Sequence, residues 1–140
     1  MDTVEILKPV MAMAVLTSIM AFWMFFTRIP AMMRLKIHPQ KGQDTRKLRD
    51  YLPHDVNRVS NNYNHLFEQP VVFYAVCFCS ALSGHVDLLL VSLAWGYVAI
   101  RAAHSLTQAL FDIVLIRFYL FVASWLVLTS MTVYLAVTLF

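Results

Sequence analysis

The sequence predicts an all-α membrane protein, a bundle of four transmembrane helices. Three observations predict it. The 140-residue chain is 60% hydrophobic and 14% charged, whereas a soluble domain is about half apolar and about a quarter charged. The apolar residues are gathered into four blocks rather than dispersed. Most of the charge lies between the first two blocks, in a linker from Arg34 to about Arg58.

The first block runs from about Ile6 to Met33, beyond the roughly 20 apolar residues that a membrane helix needs. Asp2 and Glu5 precede it with a single Lys8, and no small-x-small cleavage site follows. It is therefore read as a retained helix, not a signal peptide. The linker, about 34–56, holds Pro39, Gly42 and Pro53 and is expected to be irregular near Ile37–Gln43. The second block, about Leu66 to Leu82, has only about a dozen purely apolar residues, short of a span. It must borrow length from the polar stretch NNYNHLFEQP (Asn61–Pro70). On a helix, Asn57, Asn61, Asn64 and Glu68 recur at helical spacing on one face, with Val59, Tyr63, Leu66 and Phe67 opposite. A helix over about 57–82 follows, kinked at Pro70, which cannot donate to the Leu66 carbonyl. Cys77 and Cys79 point to different faces and are read as buried, inert thiols. The third helix covers about 88–110 after the turn SGHVD (Ser83–Asp87), and the fourth about 113–140.

Charge sets the expected topology. The first linker carries Arg34, Lys36, Lys41, Arg46, Lys47, Arg49 and Arg58 against Asp44, Asp50 and Asp55. SGHVD has no Lys or Arg, and the third connection ends at Arg117. The positive-inside rule then places the first and third connections in the cytoplasm and both termini on the opposite side. The net charge of +3 suits anionic headgroups, so membrane lipid is an expected partner. Nucleic acid is not, because no basic stripe interleaved with aromatics is present. Trp23, Phe25, Phe26, Tyr134 and Phe140, near block ends, are either interface anchors or core and lipid-facing residues.

The third block carries a second polar stripe, Arg101, His104, Ser105 and Gln108, also at helical spacing. Because the second and third helices run in opposite directions, both stripes fall in cytoplasmic halves and meet at one depth. Glu68 there needs a cation, and Arg101 is the expected partner. Arg117 joins from the start of the fourth helix and Arg34 from the end of the first. The result is a cytoplasm-facing cavity lined by Arg34, Asn61, Asn64, His65, Glu68, Arg101, His104, Gln108 and Arg117. A plain interhelical ion pair with asparagines as helix glue would explain part of this. Ionisable groups converging inside a membrane point further, to a functional site. Arginines would hold carboxylates, Glu68 an ammonium, and nearby apolar surface a lipophilic small molecule. A tripeptide thiol such as glutathione, acting as co-substrate, has the matching groups. No metal is expected. His65-x-x-Glu68 with His104 offers too few carboxylates for a bundle metal site, and the arginines oppose a cation. Proton-coupled export through Glu68 is disfavoured by the same arginines.

These residues, in this order, resemble the MAPEG family, the membrane-associated proteins of eicosanoid and glutathione metabolism. The resemblance spans nearly the whole chain. It rests on a glutamate early in the second helix (Glu68), Arg-x-x-His in the third (RAAHSLTQ, Arg101–Gln108), Arg117 sixteen residues after Arg101, and Arg34 in MRLKIH. It implies a homotrimer that binds glutathione between neighbouring subunits. Glu68, His104, Arg117 and Arg34 would hold the peptide, and Arg117 would be the catalytic, thiol-activating residue. The chain departs from the family pattern at His65, where asparagine is usual, and at Gln108, where tyrosine is usual. Phe118 and Phe121 stand where the prostaglandin synthase branch has hydroxyl side chains. The family implies two functions: glutathione transfer or peroxide reduction on lipophilic electrophiles, or, as in its non-enzymatic member, a lipid-binding scaffold or accessory subunit.

Overall fold

The computed structural model describes all 140 residues. It is entirely helical. In order the elements are α1 (Thr3–Arg34), a short 3-10 turn (Pro39–Gln43), α2 (Thr45–Tyr51), α3 (His54–His65), α4 (Gln69–Ser83), α5 (Leu88–Leu110) and α6 (Val114–Leu139). Four segments are long and apolar enough to cross a membrane: α1, α3 with α4, α5, and α6. The protein is thus an integral, multi-pass membrane protein.

Each helix starts and stops for a local reason. Asp2 accepts from the Val4 N–H at 3.1 Å and caps α1. Thirty-two residues rise about 48 Å, well beyond a hydrocarbon core of about 30 Å. The surplus of α1 projects past one end of the bundle. There Ala31 packs with Leu48 and Leu52 and with Val56 of α3. Apolar side chains at this spacing turn part of the linker into a second, amphipathic layer, so the stretch expected to be a loop is largely helical. Asp44 caps α2 through the Arg46 N–H at 3.0 Å. At the other end, Gly84 closes α4 at φ 73°, a left-handed conformation that costs glycine little. Asp87 then caps α5 by accepting from the Leu90 N–H at 2.8 Å.

The second span differs from expectation. It is not one helix kinked at Pro70. It breaks at Leu66–Glu68, and a new helix begins at Gln69 with Pro70 in its first turn, where the missing N–H costs nothing. Glu68 takes φ −93°, ψ −95°, outside the helical region. At the break the His65 carbonyl accepts from the Glu68 N–H at 3.3 Å and from the Arg101 guanidinium at 3.4 Å.

The core lies between the helices, with Ile6 and Met13 of α1, Phe73 of α4, Leu90 and Tyr97 of α5, and Met131 of α6 all buried. Phe73 and Tyr97 stack at 4.5 Å. The outer faces of α1 and α6 remain apolar and exposed, as at Phe22, Phe26, Leu126 and Val137, which is the surface that lipid covers. Phe25 and Phe140 are exposed too and Trp23 is half-buried, whereas Tyr134 is tied to Asp87 by a hydrogen bond. Cys77 is buried as expected, but Cys79 is exposed on the outer face, because two residues along a helix turn the side chain about 200°.

Candidate functional site

The polar residues gather at the end of the bundle where α1 finishes and α5 turns into α6. A chamber of about 340 Å³ is lined by Arg49, Asn61, Asn64, His65, Glu68, Gln108 and Arg117. Next to it lies a smaller, more apolar chamber of about 190 Å³, lined by His65, His104, Val114, Arg117, Phe118 and Phe121. His65 and Arg117 line both. The first volume lies in the range of small-molecule sites, about 300–1,000 Å³.

Of the nine residues expected to converge, Asn61, Asn64, His65, Glu68, Gln108 and Arg117 line the larger chamber. His104 lines the smaller one, its ring centroid 6.5 Å from that of His65. Arg101 is 1% exposed and lies behind the site rather than in it. The expected Glu68–Arg101 ion pair does not form within the chain. Glu68 instead meets the His65 ring at 3.1 Å and keeps 63% of its side chain exposed. The helix break explains this: it swings Glu68 outward and gives Arg101 a backbone carbonyl. Arg34 is not brought to the chamber. It is exposed and lines a separate cavity with Ala31, Leu35 and Pro53. Asn57, which opened the polar stripe, donates to the carbonyls of Arg49 at 2.8 Å and Leu52 at 3.1 Å. It joins α2 to α3.

Five features were not anticipated. Asp112, in the α5–α6 turn at φ 52°, accepts a hydrogen bond from the Arg117 guanidinium and lies 3.4 Å from His54 Nε2. Arg49 contributes a second cation to the chamber. Arg28, half-buried on α1, lines a third cavity. Gln69, at the start of α4, accepts from the Tyr97 hydroxyl at 3.1 Å and the Ser124 hydroxyl at 2.9 Å, a buried link between three spans. Asn62 is fully buried. Its position was legible, since it falls at helical spacing between Val59 and Leu66 on the apolar face, not with Asn61 and Asn64.

The site has hydrogen-bonding capacity to spare. Among the residues lining the two chambers, His104 Nδ1, Gln108 Oε1 and Arg117 Nε are buried and engage no protein group. Burying one such group without a partner costs about 1–3 kcal/mol. Donors dominate, three of the ionisable groups (Arg49, Arg117, His65) are basic, and Glu68 is the one acid of the larger chamber. Such a set suits an anionic ligand that also bears an ammonium.

Fold and site together define a four-span helical membrane protein with a donor-rich chamber at one end and an aromatic recess beside it. The MAPEG family model matches residues 6–137, and the chain belongs to the MAPEG family. No curated protein and no solved structure matches the chain.

Proposed function

We propose that this MAPEG protein binds glutathione, or a similar small anion, in the larger chamber and presents it to lipophilic electrophiles in the aromatic recess. The observation that carries the reading is the shared wall: His65 and Arg117 line both chambers, so a polar and an apolar ligand would meet at these residues. Arg117 and Arg49 match the carboxylates of glutathione, Glu68 its ammonium, and Asn61, Asn64 and Gln108 its amides. Glutathione supplies the thiol. An adjacent cation favours the thiolate, and Arg117 is the cation shared with the recess. Phe118 and Phe121 leave the recess without a hydroxyl to assist, so activation falls to Arg117 alone. The chain would work as a homotrimer with this end in the cytoplasm, the side that the basic linker favours. Arg34 then belongs to a neighbouring subunit's site rather than its own.

Calorimetric titration of glutathione into the detergent-purified protein tests the reading. Binding is expected in the wild type, with loss in Glu68→Gln and Arg117→Ala; no heat, or heat indifferent to both substitutions, would sink it.

One observation favours a non-catalytic scaffold. Asp112 already partners Arg117, which offsets the charge that thiol activation needs. A stable protein partner at fixed stoichiometry, together with no turnover on generic electrophiles, would decide for that role.

A further inference from the structure

A third cavity, of about 160 Å³, opens between α1, α2 and α3. Two guanidinium groups from different elements line it, Arg28 of α1 and Arg49 of α2, with Ser60 and no acid; Arg49, Asn61 and Asn64 form the wall it shares with the larger chamber, whereas Arg28 and Ser60 face this cavity alone. None of the ion pairs in the chain includes Arg28 or Arg49. Asn57 fixes the arrangement, because its side chain grips the Arg49 carbonyl and holds the end of α2 against α3. Two unpaired cations with neutral donors between them make a site for a tetrahedral, multiply accepting anion, which arginine forks suit. The volume is well under the roughly 300 Å³ at which sites for whole small ligands begin, so it fits a headgroup and not a tripeptide.

We propose that the Arg28–Arg49 cavity binds the phosphate of an anionic phospholipid. Membrane position favours lipid over a free anion. Arg28 sits within a spanning helix, and Phe25 lies one turn before it. Phe22, Phe25 and Ile29, spaced three and four apart, are 63%, 50% and 52% exposed. They form an apolar track along α1 for an acyl chain whose headgroup lies at Arg28. A single arginine snorkelling from a helix end would not bring a second cation from another element into the same cavity.

Native mass spectrometry of the delipidated protein, titrated separately with phosphatidylglycerol, phosphatidylcholine and inorganic phosphate, tests this. One phosphatidylglycerol per chain is expected, weakened about tenfold by Arg28→Gln or Arg49→Gln and unaffected by Lys47→Gln, an exposed cation on another face of α2 that does not line the cavity. Phosphatidylcholine should bind far more weakly. The adduct should persist in Arg117→Ala, which separates this site from glutathione binding. Equal weakening by Lys47→Gln would show diffuse surface charge and overturn the site. Inorganic phosphate binding as well as phosphatidylglycerol would overturn the lipid assignment. If Arg28→Gln does not fold, Arg49→Gln carries the test together with Arg117→Ala, because Arg49 also lines the larger chamber: weakening by the first and not by the second places the lipid in this cavity.

Discussion

At the scale of single residues, the proposed chemistry turns on Arg117 and what holds it. The guanidinium is engaged by Asp112, so a ligand carboxylate must compete with an internal one. Asn in place of Asp112 would keep the side-chain shape and tolerate the positive φ of this position. Asp112→Asn is therefore expected to tighten glutathione binding roughly fivefold, the factor that about 1 kcal/mol gives for an ion pair of this exposure. Calorimetric affinities for the two proteins check it. Unchanged or weaker binding would mean that Asp112 orients Arg117 rather than competing for it. Nothing in the sequence pointed to this pair. Asp112 and Arg117 are five apart, not a helical spacing, and a turn in the left-handed region is what brings them together.

At the scale of elements, helix boundaries decide which polar groups meet. Asp87 shows how much one boundary carries, since it caps α5 through Leu90 and accepts from Tyr134 of α6. The Tyr134 hydroxyl first, and then the Leu90 N–H, hold its carboxyl below the usual carboxylate range. A depressed folded pKa contributes stability that is present above the unfolded value, about 3.9, and is lost as pH falls through the folded one. Thermal melts in detergent should therefore lose stability below about pH 4 in the wild type, and this component should be missing in Asp87→Asn. Asp87→Ala removes the cap at any pH, costing about 1 kcal/mol and a few degrees of melting temperature. A wild-type acid limb identical to that of Asp87→Asn would refute the assignment. The second span shows where elements were legible and where they were not. The 3.6-residue period, which depends only on local sequence, puts Asn61 and Asn64 on one face and His65 beside them, and in the structure these three and Gln108 line one cavity. Whether Pro70 kinks a helix or begins one is not local. Both are compatible with its ring, and at the break the His65 carbonyl takes a second donor, Arg101, from another helix beside the Glu68 N–H. For that reason the expected Glu68–Arg101 pair was replaced by two others.

At the scale of the whole molecule, two of the residues expected at the site stand apart from the rest of it. Glu68 is mostly exposed, and Arg34 faces a different cavity beside Pro53. The period of the first helix could place Arg34 at its end but could not say whose chamber it serves. In the ring of three copies proposed above, Arg34 of one subunit would meet Glu68 of the next. That arrangement makes a sharper prediction than oligomeric mass alone. Suppose that Arg34→Ala and Glu68→Gln variants are co-expressed and mixed trimers are isolated by two affinity tags. Homotrimers of either variant lack a complete site at every interface. Every mixed ring has one interface where an intact Arg34 faces an intact Glu68. Glutathione should bind there with wild-type affinity, at one molecule per mixed ring, and not at all to either homotrimer. If the site lay within one chain, Arg34 would stand outside it, and the Arg34→Ala homotrimer would bind glutathione as the wild type does. Recovery in mixed rings therefore separates a shared site from a private one, whatever chemistry the bound thiol goes on to perform.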